Sequence, residues 1–510
     1  MGLFSKRTSS DAPNDLNSKL DTVLYEVPGT DTEITWADAV ESTLIVGSTG
    51  SGKTSGPARH IAMAMLKQGF SFCVLCAKKD EKQRWIKYAQ DAGRSDDLIL
   101  FDRDNDLQFN FLDYEMKRDG EGAGDVFNAS NMLVNLNEQI RILQSGSSQN
   151  DEKFWDNSLR RLISRTISLL KFTNQNIDIY NIRRVIADSL TSEDIELYDK
   201  IKSKITTQEN IPEQDKKNAQ ENLFAMIEGN YFVKLLEICD KLNLTDDLSI
   251  TLQYWKREFA NLSEKTRSII IESALGIIEP FLVDGILKNQ FSKGLSPYLM
   301  PENIIKNKSV VIVDFSVKEF GFSGTIASSI YKISFQSAME RRDVSKEDDP
   351  KPVAFFVDEY QNFCYPSKDA LFQATARSSW VATVYITQNL NGIIQVMGSN
   401  NALARTKSLL GNMNLKYFAS NSDYDTNKWA SDMIGEHWMN IDNFNIDGNA
   451  KIKGKTQRSE RRRKVEIDDF TTLKTGRKIN NFEVEAVVFK AGKLWGEDQD
   501  NYALATFKQK

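Results

Sequence analysis

One stretch narrows the choice of fold more than any other: Leu44 to Gly56 reads LIVGSTGSGKTSG. It satisfies G-x-x-x-x-G-K-[ST] without a mismatch, and the β-branched and aliphatic run Thr43 to Val46 in front of it reads as a buried parallel strand. Glycines at 47, 50 and 52 let the backbone from Gly47 through Ser48, Thr49, Gly50, Ser51 and Gly52 curl until successive N–H groups point inward at a β-phosphate. Lys53 then bridges the β- and γ-phosphates, Thr54 offers its hydroxyl to Mg²⁺, and Ser55 completes the nucleotide-binding set. The helix that begins there carries Ala58, Ile61, Ala62, Met65 and Leu66 as its apolar stripe and aims its positive end at the same anion. Strand, loop and helix in this order predict a nucleoside-triphosphate site on an α/β sheet.

A second motif fits the first. Val353 to Glu359 (VAFFVDE) is an apolar β-forming run that ends in two carboxylates, which places them at the carboxyl edge of a parallel strand, where open α/β sheets bind ligands. In such a site Asp358 holds Mg²⁺ through its water shell beside Thr54, and Glu359 polarises the water that attacks the γ-phosphate. Together the motifs predict ATP hydrolysis with Mg²⁺. The guanine-reading N-K-x-D tetrapeptide is absent, which favours ATP over GTP. A third strand, Val381 to Ile386, ends in Thr387 and Gln388, and Gln388 stands where a sensor of the γ-phosphate would.

The rest of the 510-residue chain is organised around these pieces. Ser71 to Leu75 and Leu98 to Phe101 read as further strands, giving β-α-β-α-β and a parallel sheet flanked by helices. From 115 to 300 the strand signals fade. Trp155, Leu159, Leu162, Ile163, Thr166, Ile167 and Leu170 recur at helical spacing, as do Leu262, Thr266, Ile269, Ile270, Ser273, Ile277 and Phe281. The prediction is therefore a loose tail over 1–20, a nucleotide-binding domain from 21–114 and 301–510, and an all-helical domain inserted between them. Strands resume at Ser309 to Phe315, a helix follows over Thr325 to Arg341, and Glu483 to Phe489 and Tyr502 to Phe507 close the sheet.

Charge and composition exclude some classes. A net charge of −6 gives no global attraction for DNA or RNA, so any nucleic-acid contact has to be local. Arg160, Arg161 and Arg165 lie off the apolar stripe of their helix, as a phosphate-contacting face or a solvated one. KIKGKTQRSERRRK, Lys451 to Lys464, lies in a segment expected to be a mobile basic loop over 447–464, either gripping nucleic acid or an acidic partner or simply solvated. Cys73 and Cys76 form a C-x-x-C inside an apolar strand with no second ligand pair, so buried strand cysteines are expected there. No window of 18 uninterrupted apolar residues marks a membrane span.

In order along the chain, the phosphate loop, the AKKDE after the second strand, LILFD followed by FNFL, EKFWDNSLRRL, FFVDEYQNF, ATARSSWVATVYITQNLNGI and LLGNMNLKYFASNSDYDTNKWASDMIG resemble the TraG/TraD-type conjugative coupling proteins of type IV secretion. These belong to the wider FtsK/HerA superfamily of DNA-pumping ATPases. The resemblance spans about residue 40 to about 490. It implies a RecA-like motor with an all-helical domain, a homo-hexameric ring around DNA, and an arginine supplied by the neighbouring subunit, for which Arg377 and Arg405 are the candidates. It further implies relaxase or secretion-channel partners and a cytoplasmic protein.

Two departures stand out. No stretch of this sequence reads as the family's usual membrane anchor, so recruitment to the cytoplasmic face of the inner membrane is expected to use a membrane partner. Ala77 to Glu81 also replaces the family's frequent D-P-K-G-E, and no role is carried over to it. Two other readings stay open: a related soluble motor used in defence, packaging or DNA processing, and an ATP-gated adaptor that docks protein substrates on a secretion channel.

Overall fold

Short apolar runs without polar alternation have to be covered on both faces, and here they form the parallel centre of one large sheet. The computed structural model describes residues 16–145, 152–206, 211–398, 401–446, 452–496 and 499–509. In chain order its strands are β1 (Val23–Glu26), β2 (Glu33–Thr35), β3 (Thr43–Val46), β4 (Ser71–Leu75), β5 (Leu98–Asp102), β6 (Val310–Asp314) and β7 (Val353–Val357). Then come β8 (Val381–Thr387), β9 (Leu415–Ala419), β10 (Glu436–Ile446), β11 (Ile452–Arg463), β12 (Glu483–Lys490) and β13 (Tyr502–Lys508).

Nine of these build one sheet in the order β13-β12-β9-β3-β8-β7-β4-β6-β5. The six from β9 to β6 run parallel, and every residue in them is buried. On the far side of β9, β12 pairs antiparallel with both β9 and β13. The chain is thus a RecA-like α/β fold. Because β8 stands between β3 and β7, the strand that ends in Gln388 lies between the strand that leads into the phosphate loop and the strand that ends in Asp358 and Glu359.

The chain divides into two compact units. One comprises residues up to Leu100, Pro301–Lys318 and everything from Phe335 onward, and the other comprises Phe101–Met300 with Glu319–Ser334. The first unit holds the parallel centre of the sheet, and its helix Arg59–Lys67 buries Ile61, Ala62, Met65 and Leu66 beneath the phosphate loop, with Ala58 just before them.

The second unit is mainly helical. Helix Glu152–Phe172 buries Leu159, Leu162, Ile163, Thr166, Ile167 and Leu170, as its spacing predicts. Helix Glu264–Ile278 is turned from the expected phase: Ile270, Ala274, Ile277 and Ile278 are buried, whereas Ile269 and Ser273 face solvent. Three consecutive isoleucines at 269–271 support either phase, and packing selects one. Arg160 and Arg161 are used inside this unit, by the Asn131 amide at 2.7 Å and by Glu258 and the Tyr254 ring respectively.

Other differences from expectation are local. Leu16–Leu20, the end of the expected loose tail, forms a short helix, and residues 1–15 lie outside the described residues. The helix expected over Thr325 to Arg341 runs Val317–Glu340 with a break at Gly321. The basic segment is not a loop: β10 and β11 pair antiparallel from Glu436↔Arg463 to Asn445↔Gly454, with a register shift before Ile446↔Ile452, as a separate two-stranded ribbon. Cross-strand backbone bonding needs no apolar alternation, so a strand rich in arginine and lysine is invisible to a hydrophobic pattern. Residues 447–451, the first part of the expected loop, lie outside the described residues. Cys73 and Cys76 are fully buried, and burial pushes both thiols well above their usual range.

Candidate nucleotide site

The phosphate loop leaves β3 between the tips of β8 and β9 and is pinned to both. The Gly47 N–H donates to the Thr387 carbonyl (3.3 Å) and the Ser48 N–H to the Ser420 carbonyl (3.0 Å). Gly50 and Gly52 take φ values of 82° and 83°, the left-handed region that suits glycine. At Gly52 there is a second reason for a bare Cα, since an added Cβ would lie 2.5 Å from a methyl of Val484 on β12.

Past the loop, Pro57 cannot donate to the Lys53 carbonyl. The Ala58 N–H takes that carbonyl instead at 3.1 Å, so the first turn over Thr54–Ala58 is the wider π type before the α-helix begins.

The loop cation and the carboxylates gather at this edge. Lys53 is buried with its Nζ 3.4 Å from the Ser48 carbonyl. Burial is the largest influence on it and holds its pKa below the ordinary lysine value, against the opposing pull of Glu359 and Asp358. Thr54 Oγ1 donates to Asp358 Oδ2 at 3.2 Å, and the other Asp358 oxygen accepts the Glu359 N–H at 2.8 Å. These two oxygen groups, one from each motif, suit a hard cation.

No cluster of three or more His, Cys, Asp or Glu side chains able to hold a metal occurs among the described residues. A bound Mg²⁺ would therefore take much of its shell from water and from phosphate, as that ion does.

Glu359 is the most constrained member. It is buried and sits at φ 49°, ψ 49°, a left-handed conformation that costs a non-glycine residue on the order of 1 kcal/mol. Its carboxylate is ion-paired to Lys78 and accepts from Gln361 Nε2 at 2.6 Å and Gln388 Nε2 at 3.0 Å. Burial alone would raise its pKa; the Lys78 and Gln361 hydrogen bonds and the charges of Lys78 and Lys53 outweigh it and hold the carboxyl below its usual value. Gln388, at the tip of β8, thus touches the Glu359 side chain directly.

The two candidate arginines lie elsewhere. Arg377 precedes β8 at the amino end of the sheet, is largely exposed, and pairs with Glu41 at 3.6 Å. Arg405 is exposed on helix Ala402–Gly411 with Nη1 3.4 Å from the Met397 carbonyl. Neither belongs to the cluster around the phosphate loop of its own chain.

Several residues at the site were not singled out from sequence. Lys78 comes from the stretch Ala77 to Glu81, to which no role was carried over. Glu81 of that stretch is 1% exposed near Asp358. Burial first, and then the Asp358 charge, push its pKa up to about 9 against the Ala77 N–H, Lys78 and Arg84. Asn421, past the tip of β9, accepts from Ser48 Oγ (2.9 Å) and donates to the Gln388 carbonyl (3.0 Å), tying the loop to the tip of β8. A lysine and a glutamate just past the end of β4, a strand parallel to β7, were a signal available in the sequence; the Asn421 bridge was not.

Comparison with known proteins places the chain among similar folds. Residues 352–475 match the family described as the TraM recognition site of TraD and TraG. Over 96% of this chain and 89% of the other, the fold is similar to that of the bacterial conjugative coupling protein TrwBΔN70 in its unbound monoclinic form, with a TM-score of 0.59 and 14% identity. TrwB in complex with the non-hydrolysable ATP analogue ADPNP gives a TM-score of 0.58 over the same shares at 14% identity. TrwB with ADP and Mg²⁺ gives 0.55 at 13% identity, over 96% of this chain and 90% of that one. No curated protein sequence matches. Among the described residues no helix is long and apolar enough to cross a membrane.

Proposed function

We propose that this chain is a TraG/TraD-like coupling protein, a Mg·ATP-driven DNA motor that couples DNA to a type IV secretion channel, a reading that the match over 352–475 and the shared fold support. The observation that carries the reading is the convergence of Lys53, Thr54, Asp358, Glu359 and Gln388 on one sheet edge. In support, TrwB has been captured with an ATP analogue and with ADP and Mg²⁺.

In this reading the loop N–H groups and Lys53 bind the β- and γ-phosphates, and Thr54 with Asp358 holds Mg²⁺. When bound, that ion neutralises charge on the phosphate oxygens. Glu359, kept ionised by Lys78 and Lys53, accepts hydrogen bonds from a water and orients it in line with the γ-phosphate. Gln388 is the sensor in this reading: its amide, spent on Glu359 here, would exchange that partner for a phosphate oxygen.

Arg377 and Arg405, exposed and outside their own site, are offered to a neighbouring copy. A homo-hexameric ring with DNA in its channel follows from the same reading. The family description over 352–475 supports a protein partner in the transfer complex, relaxase-associated or part of the channel, and a membrane partner would bring the chain to the inner membrane.

The test is steady-state ATP hydrolysis with and without single- and double-stranded DNA, with Glu359→Gln and Lys53→Ala as controls. DNA-stimulated turnover, lost in both variants and weakened by salt, supports the motor. Turnover indifferent to DNA at low salt in an assembled ring removes translocation and favours a protein-docking adaptor.

A further inference from the structure

The carboxyl edge of the sheet has two flanks around the phosphate loop. On the β8 and β7 side lie Gln388, Asp358 and Glu359, the groups suited to a γ-phosphate and its metal. On the β9 and β12 side, the segment entering β12 lies against the loop itself: an added Cβ on Gly52 would come within 3.1 Å of the Thr475 carbonyl and 2.5 Å of Val484. A nucleotide laid along the loop with its γ-phosphate toward β7 therefore directs its α-phosphate and nucleoside toward this second flank.

Arg477 stands there. A Cβ on Gly50 would lie 3.3 Å from one Nη of its guanidinium. The residue is exposed, and among the described residues its guanidinium makes no hydrogen bond or ion pair. Its backbone is nevertheless firmly held at φ 63°, in the left-handed region. Its N–H donates to Gln509 Oε1 at 2.8 Å, its carbonyl accepts from the Phe482 N–H at 2.7 Å, and Gln509 Nε2 donates to Ser55 Oγ at 2.7 Å. An unpartnered cation on a strained, well-anchored backbone, aimed across the turn of an anion-binding loop, is arranged for a ligand rather than for the fold.

We infer that Arg477 is a nucleotide-binding residue that closes on the α-phosphate from the same chain as the phosphate loop. The inference rests on the nucleotide reading of the site and adds a contact on its nucleoside side. Unlike Arg377 and Arg405, it needs no neighbouring copy, so it acts in the free chain.

The test is titration calorimetry of the purified chain with ATP and with ADP, each with Mg²⁺, for the wild type, Arg477→Gln and Arg477→Lys. Thermal unfolding without nucleotide checks that the turn survives. Arg477→Gln is expected to weaken ATP and ADP alike, each on the order of tenfold, as loss of one charge-assisted hydrogen bond does. Arg477→Lys should recover part of the loss. Affinities within twofold of wild type for both nucleotides overturn the inference while leaving the site reading intact. Loss confined to ATP overturns it too, because the contact would then lie at the γ-phosphate. A wild-type chain that binds neither nucleotide overturns the site reading and this inference with it.

Discussion

The two flanks of the phosphate loop are built on different principles. Toward β7 and β8 the functional groups are held by polar contacts: Thr54 on Asp358, Gln388 and Gln361 on Glu359, Lys78 on the same carboxylate. Toward β12 the contact is mainly steric, with the side chain of Val484 filling the space left by the missing side chains of Gly52 and Gly56. The first flank is chemistry held in readiness by hydrogen bonds. The second is a wall that fixes how the loop curls. Damage to the first should therefore appear in turnover with the fold intact, and damage to the second in affinity and stability together.

The largest effect belongs to Glu359. Glu359→Gln keeps the shape and the hydrogen bonds that Gln361 and Gln388 can re-form, but removes the carboxylate, and turnover should fall on the order of a hundredfold or more. ATP affinity measured by calorimetry should stay close to wild type. A comparable loss of affinity would mean that the polar flank also carries binding, and the contrast between flanks would break.

Lys78→Ala sharpens the same point through pH. Burial, the largest influence on Glu359, raises its pKa, and Lys78 is the principal group that reverses the sign. In the wild type the carboxylate is held below its ordinary value, so acid loss of activity falls below the usual glutamate range. Without Lys78 the acid limb of the kcat profile should move to higher pH, in the direction burial dictates. A limb that does not move would show that Lys78 pairs with Glu359 without tuning it.

On the steric flank, Gly56→Ala is the cleaner probe, because Gly56 lies in the π-type first turn and its φ is not in the left-handed region. Its new methyl would meet Val484 Cβ and Cγ1 at 3.0 Å, an overpacking expected to cost about 1–3 kcal/mol of stability and to weaken ATP binding. Adding Val484→Ala removes one of those two contacts and should return part of both losses, a coupling that a urea midpoint and one titration can read. No coupling would mean that the β12 wall does not shape the loop.

The difference between the flanks also explains what could be read from the residues alone. Lys53, Thr54, Asp358, Glu359 and Gln388 announce themselves because their chemistry needs fixed residue types at fixed places on strand ends, and β3, β4, β7 and β8 because parallel strands buried on both faces are unbroken apolar runs. The steric flank has no such signature. Val484 is one valine among many, Arg477 sits in a turn, and both reach the loop through a contact more than 400 residues distant in the chain. The ribbon of β10 and β11 was hidden for a related reason, since its pairing is carried by backbone while its side chains carry charge. Helix Glu264–Ile278 shows the remaining limit: a stripe with isoleucine on both candidate faces leaves its phase to tertiary packing.

Strand β9, which joins the two flanks by pairing parallel with β3 and antiparallel with β12, was not read as a strand, and Lys416 is the reason. A lysine at the second position of Leu415–Ala419 breaks the apolar run, yet it is 4% exposed and its ammonium has the Met413 carbonyl as partner. Burial drives its pKa from 10.5 down to about 8. Because the folded value lies below the unfolded one, the charged form is penalised only in the fold. The cost is fully present below about pH 8 and disappears as pH rises to about 10.5. The shift corresponds to roughly 3 kcal/mol, of which leaving the Met413 carbonyl without a donor would return about 1 kcal/mol. Lys416→Met should therefore stabilise the chain by on the order of 1–2 kcal/mol at pH 7, seen as a higher urea midpoint, with the gain shrinking across that alkaline window. The smallest of the four effects, it also separates the seam from its flanks. A stabilised variant with unchanged turnover makes β9 a passive joint between them, whereas a change in turnover would mean that strain stored at Lys416 reaches the loop through β3.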